Sequence, residues 1–336
     1  MTPAELIAAL PDGAIIVSAS GLVMAANSLA KDALQIEPQG LQAAALIRQP
    51  SFFAALAETK ASRQPVIIDV EIQSRPPRQF SAHLAPIAHG SDVLVVLRDL
   101  TREQRIERMR SDFVANASHE MRTPLAAIIG TIETLQGAAK NDAKAREKFF
   151  DSMLTQARRM KRLIDDLLTL SRIELNEHVR PNAKVDLQDM IRQAKSNLAG
   201  MAKEAGVVMQ SDSSIASVVA GDADELLQVT QNLLENAIKY GGSGGQVEIS
   251  CQTLGRSGVL RVRDFGKGIA EVHLPRLTER FYRVSTQESR ARGGTGLGLA
   301  IVKHIVSRHR GRLEIASSPG NGSIFTVMIP LYISSS

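Results

Sequence analysis

The chain has a single cysteine, Cys251, among its 336 residues. One thiol excludes an internal disulfide and any multi-cysteine metal site, and it suits a reducing cytosol. Its place in the alternating run Val247, Ile249, Cys251 makes it a core residue. Charge of one sign is also scarce. The net charge is only +5, and Lys and Arg are interspersed with Asp and Glu, which describes a mildly basic solvated surface and not a nucleic-acid face. No stretch approaches the ~20 consecutive apolar residues of a membrane helix, and the N-terminus lacks a basic segment followed by an apolar one. The chain as given is therefore expected to be cytoplasmic. What it does have is length and apolar content: 336 residues, 44% hydrophobic, give two or three domains a core each.

Three segments stand out, and together they predict a multidomain α+β chain. Residues 1–98 alternate short apolar runs with helical patches (GAIIV at 13–17, LVMAA at 22–26, VLVVL at 93–97), a sheet wrapped by short helices. Residues 99–112 are charged and free of Gly and Pro, a continuous helical linker. In residues 113–177 apolar side chains recur at three-four spacing, through Val114, Ala117, Met121, Leu125, Ile128, Ile132 and Leu135, then Met153, Ala157, Met160, Ile164 and Leu167. The polar stretch 136–145 between them makes an antiparallel hairpin. One hairpin cannot cover that seam, so a homodimer with a four-helix bundle is expected. A hinge at 178–184 leads to a two-layer α/β domain at 185–336, with strands near 246–253, 258–263, 312–316 and 323–330.

His119 falls off the heptad seam and should be exposed. Pro124, inside the same helical pattern, removes a backbone donor and kinks the helix beside it. A neutral imidazole nitrogen is a good nucleophile for phosphorus, and Glu120 is placed to hold the other ring nitrogen in the right tautomer. The run FVANASHEMRTPLAAIIG (113–130) resembles the phospho-acceptor box of bacterial sensor histidine kinases. The resemblance implies that His119 attacks the γ-phosphate of ATP, that Glu120 assists as base, and that Thr123 positions water to dephosphorylate the partner regulator. Met121 stands where leucine is usual, a volume-conserving swap.

In ELLQVTQNLLENAIKYG (225–241), Asn232, Asn236, Lys239 and Tyr240 share one helix face, and Leu226, Leu233, Leu234, Ala237 and Ile238 the other. Asparagine is a poor helix former, and two of them one turn apart suit Mg²⁺ held by amide oxygens, water and phosphates, with Lys239 a point charge for phosphate and Tyr240 a flank for a base. The strand VLRVRD (259–264) ends at Asp264 and opens into Gly266 and Gly268, a carboxylate suited to an exocyclic amine such as adenine N6. In GGTGLGLAIVKHI (293–305), Gly294, Thr295, Gly296, Leu297 and Gly298 precede a helix whose N–H groups and dipole bind phosphate. A dinucleotide fingerprint would follow a first strand and be answered by an acidic residue about 20 residues later, so that reading is set aside.

In order and spacing these blocks resemble the N, G1 and G2 boxes of the ATP-binding domain shared by histidine kinases, gyrase, Hsp90 and MutL, with ERFYRV (279–284) as the F box. The resemblance implies ATP and Mg²⁺ as cofactors, Asn236 as principal metal ligand with Asn232 beside it, Asp264 as adenine reader, and Lys239 and Arg283 on the phosphates. It puts a lid between Phe281 and Gly294, in which Ser285 replaces the usual Asp. The local wording is closest to phosphate-regulon sensor kinases. Residues 10–27 and 95–110 resemble a PAS sensory domain; its His83 and His89 are weak candidates for haem. A cognate response regulator is the implied partner, and the cytoplasmic part of an inner-membrane sensor is the alternative to a wholly cytoplasmic protein. Two rivals remain: an ATP-driven clamp, which needs a glutamate where Asn232 stands, and a degenerate scaffold without catalysis.

Overall fold

The computed structural model describes residues 3–74, 77–87, 91–137, 142–212, 217–284 and 294–333. The chain divides into two compact units, Met1–Val114 and Ala115–Ser336.

The first unit is a five-stranded antiparallel sheet in the order β2-β1-β5-β4-β3. Its strands are β1 (Gly13–Val17), β2 (Val23–Ala26), β3 (Val66–Ile72), β4 (Arg78–Pro86) and β5 (Val93–Asp99). Helices α1 (Pro3–Ala8), α2 (Ser28–Leu34), α3 (Ala43–Leu46) and α4 (Pro50–Ser62) complete it. Phe52, Phe80, Leu84, Val95 and Leu97 fill the core. Asn27, the N-cap of α2, is buried yet fully used. Its Oδ1 accepts from Ala14 and Ala30 N–H at 2.9 Å each, and its Nδ2 donates to Ile7 O (3.1 Å) and Asp12 O (2.8 Å). That satisfies what a buried amide demands. His83 is exposed on β4, and His89 lies outside the described residues.

Helix α5 (Thr101–Gln136) runs unbroken through Pro124, and α6 (Ala143–Leu175) returns as the hairpin's second arm, capped by Asp142 accepting from Ala145 N at 2.9 Å. Leu125, Ile129, Ile132, Phe150, Leu154, Ile164 and Leu168 are exposed along the two arms. The turn at 138–141 lies outside the described residues.

The rest of this unit is a two-layer domain. Strands β7 (Val208–Asp212), β9 (Gln246–Leu254), β10 (Ser257–Asp264), β11 (Arg312–Ser317) and β12 (Ser323–Pro330) form a sheet in the order β11-β12-β10-β9-β7, with β7 parallel to β9 and the other pairs antiparallel. A small second sheet pairs β6 (Ala183–Asp186) with β8 (Val218–Gly221). Strand β12 alternates buried and half-buried positions, as a sheet covered on one face should. The cover is α7 (Leu187–Glu204), α8 (Ala223–Gly241) and α9 (Gly298–Arg308), which bury Ile191, Leu233, Leu234, Ile301 and Ile305. Cys251 is buried, in the core position its run required.

At the linker after α6, Arg308 Nε donates to Asn176 O and Val179 O, both at 3.1 Å, and its guanidinium pairs with Glu225. The next residue, His309, is fully buried, with Nε2 accepting from Asp222 N–H at 3.0 Å and Nδ1 donating to Ile305 O at 2.8 Å. Among the described residues no helix is long and apolar enough to cross a membrane.

Candidate active site

Helix α8 supplies one wall of a cavity of about 390 Å³, within the usual range for a small-molecule site. Leu226, Leu233, Leu234, Ala237 and Ile238 are buried beneath it, which turns Asn232, Asn236, Lys239 and Tyr240 toward the cavity. Asn232 Nδ2 donates to Gly298 O at 3.4 Å, and Lys239 pairs with Glu235 one turn away.

The last residue of β10 forms the second wall. Asp264 is 5% exposed, lines the cavity, and accepts at Oδ1 from Gly266 N–H at 2.9 Å. Burial pushes its carboxyl above the usual range, and hydrogen bonds from Gly266 and Ser323 pull it back. A fixed, poorly solvated acceptor of this kind selects an N–H donor. Gly268 has φ of 68°, and a β-carbon there would lie 2.0 Å from Ser318 O, so this turn admits only glycine.

Gly294, Thr295, Gly296 and Gly298 close the third side. They lead into α9, whose N-cap Leu297 provides no side-chain cap, so its first N–H groups are left for an anion. Phe281, at φ 63°, donates its N–H to Gly296 O at 2.8 Å and ties the segment 279–284 to the glycine-rich loop. Phe281, Leu297 and Gly266 are thus framework: none lines the cavity, and Leu297 is fully buried. Residues 285–293, the proposed lid with Ser285, lie outside the described residues.

His119 is exposed, as its position off the seam requires, and Thr123 Oγ1 donates to His119 O at 3.2 Å. Glu120 Oε2 accepts from Arg159 Nη2 at 2.8 Å and from Arg283 Nη2 at 3.1 Å. The two residues assigned to the His119 ring and to phosphate are therefore bound to each other. Arg283 also lines the cavity and donates to Gly294 O at 2.6 Å; its Nε is buried without a hydrogen-bond partner among the described residues.

Two cavity residues escaped the sequence reading because they come from α6. Asp166 Oδ2 accepts from Thr295 Oγ1 at 2.7 Å, and burial pushes its carboxyl up. Arg162 Nη1 lies 4.0 Å from Glu235 Oε1. Their spacing of one helical turn was visible, but nothing in it pointed at a cavity 60 or more residues away. No trio of His, Cys, Asp or Glu is placed to hold a metal ion among the described residues. The amides facing the cavity are those of Asn232 and Asn236, and the carboxylates are those of Asp166, Glu235 and Asp264.

The family described as Histidine kinase-, DNA gyrase B-, and HSP90-like ATPase matches residues 221–333, and the His Kinase A (phospho-acceptor) domain matches residues 109–176. The phosphate regulon sensor protein PhoR of Pseudomonas aeruginosa is 37% identical over 326 residues, covering 96% of this chain and 72% of that protein. The sensor protein SrrB of Staphylococcus aureus is 29% identical over 333 residues, 97% of this chain and 55% of its own length. Among solved structures, the Acinetobacter baumannii histidine kinase AdeS is 28% identical with a TM-score of 0.52, covering 64% of this chain and 98% of that one.

Proposed function

Because the chain belongs to the sensor histidine kinases of two-component systems, of the phosphate-regulon type, we propose that it phosphorylates His119 from ATP and passes the phosphoryl group to a response-regulator aspartate. The observation that carries this reading is the hydrogen bond between Glu120, next to His119, and Arg283, a wall of the nucleotide cavity. ATP binding belongs to the C-terminal domain, whose family is matched over 221–333.

Asp264 receives the adenine amine, and Lys239, Arg283 and the N–H groups at the start of α9 receive the phosphates. Neutral amide oxygens, completed by water and phosphate, fit Mg²⁺, and Asn236 with Asn232 beside it is the natural ligand set. When bound, that ion neutralises charge on the transferring phosphoryl group. The domain turns about residues 178–184 until a His119 ring nitrogen lies in line with the γ-phosphorus. The nitrogen lone pair forms the N–P bond, the bond to the bridging oxygen breaks, and its electron pair leaves with ADP. The proton on the other ring nitrogen passes to Glu120.

Four further parts of the reading rest on particular features. Thr123, on the same exposed surface, orders water for dephosphorylation of the regulator. The exposed apolar residues of both hairpin arms support a homodimer with a four-helix bundle. The strand order β2-β1-β5-β4-β3 with flanking helices supports a PAS-like sensory role for residues 1–98. ATP as substrate calls for a cytoplasmic site. An ATPase clamp is disfavoured because Asn232, not glutamate, stands one turn before Asn236.

The test is labelling with γ-³²P ATP. His119→Ala should lose all label and keep ATP binding; retained label on that variant sinks the assignment.

A further inference from the structure

Glu120 shares one carboxylate oxygen between two guanidiniums that differ in kind. Arg283 belongs to the nucleotide-binding domain, lines its cavity, and carries a buried N–H without a partner among the described residues. Such a donor is set to exchange Glu120 for an incoming phosphate. Arg159 belongs to α6, the other arm of the hairpin that holds Glu120, and does not line the cavity. The two side chains are only 12% and 17% exposed. Their contact lies within the hairpin and does not depend on where the nucleotide-binding domain stands.

We propose that Arg159 is a positioning residue for phosphoryl transfer: it holds the Glu120 carboxylate in place beside His119 when Arg283 leaves for the nucleotide. The proposal rests on the reading of His119 and Glu120 given above. Without Arg159, a charged and largely buried carboxylate has two ways to be stabilised. It turns toward water, away from the imidazole, or it keeps Arg283 from the phosphate. Either outcome slows the chemical step, and neither touches the adenine wall at Asp264.

A double-mutant cycle on the full chain tests this, with autophosphorylation rates measured between about pH 6 and 9. The proteins are the parent, Arg159→Met, Arg159→Lys, Glu120→Gln and the Arg159→Met/Glu120→Gln double variant. Arg159→Met should lower the rate constant about tenfold, part of the roughly 10²–10⁴ that a positioned base contributes, and alter the pH profile. Its KM for ATP should stay within about twofold, and Arg159→Lys should recover a good part of the rate. The double variant should be no slower than Glu120→Gln. A double variant slower by the full Arg159→Met factor overturns the proposal, as does a raised KM with unchanged rate. If Glu120→Gln itself matches the parent, the role of Glu120 fails and the proposal with it. Should Arg159→Met fold poorly by circular dichroism, Arg159→Lys runs through the same cycle.

Discussion

Replacing Gly241 by alanine would wedge one methyl group between the helix and the strand that form the proposed adenine wall. Gly241 ends α8, and a β-carbon built there would lie 2.3 Å from Asp264 Cβ, 3.0 Å from its Cγ and 3.1 Å from its Oδ1. Non-bonded carbons settle about 3.5–4.0 Å apart, so something must move by more than ~1 Å. Asp264 has little room to yield. Its Oδ1 holds Gly266 N–H, and its backbone pairs with Val247 on one side and Ser323 on the other. Overpacking of this kind costs about 1–3 kcal/mol, a melting point lower by several degrees. A carboxylate displaced by ~1 Å loses its hydrogen bond to the ligand, worth about 1.5–3 kcal/mol for a charged partner, or roughly ten- to a hundredfold in affinity. Titration calorimetry should show ATP affinity ten- to a hundredfold weaker, with preference for ATP over GTP reduced because Asp264 no longer meets the amine. Gly242→Ala is the control one residue away, where the nearest atom to a new β-carbon is Val207 Cγ2 at 3.7 Å. It should bind ATP like the parent. Full ATP affinity and base preference in Gly241→Ala would refute the reasoning, and so would an equal loss in Gly242→Ala.

Asp166→Asn removes a negative charge that faces the phosphate loop through Thr295, so ATP should bind about fivefold tighter, near 1 kcal/mol for a partly screened charge; weaker binding by calorimetry counts against it. Leu125→Glu combined with Ile129→Glu places charge on the exposed apolar face of α5 and should yield monomers in sedimentation, whereas an unchanged dimer would locate the contact elsewhere. Burial holds the pKa of His309 below its ordinary 6.5. Below about pH 6.5 the unfolded chain therefore takes up a proton that the folded chain refuses, and stability falls with the pH. His309→Gln lacks that loss, so it should melt lower than the parent near pH 8 but by a smaller margin near pH 5.5. A gap independent of pH would mean that the imidazole does not titrate on unfolding.

The cavity wall on α8 is legible in the sequence because one periodicity decides both faces: burying Leu233, Leu234 and Ile238 leaves Asn232, Asn236 and Lys239 no other direction. The strands at 246–254 and 257–264 were legible through alternation, and Asp264 through its place at a strand end. The strands β6, β7 and β8 were not. They span four or five residues each, too few for alternation to emerge, and exist because partners far along the chain pair with them. The charged residues of α6 were hidden for a related reason. Arg159, Asp166 and Glu174 read as a solvated helix face, and only folding brings Glu120, Thr295 and Arg280 against them. Motif spacing likewise does not show that Lys239 pairs with Glu235 and Arg283 with Glu120.

The linker beyond α6 is a ratcheted joint more than a slack one. Arg308 grips its backbone at the carbonyls of Asn176 and Val179 through one shared N–H, and a hydrogen bond from a charged donor is worth about 1.5–3 kcal/mol. Lifting α6 from the nucleotide-binding domain would forfeit that shared bond before any compensating contact forms. A barrier raised by that much slows separation by about one to two powers of ten. If the domain turns about 178–184 as proposed, the dwell time between its arrangements is set by a residue remote from the chemistry, where it can be lengthened or shortened without altering how ATP is read.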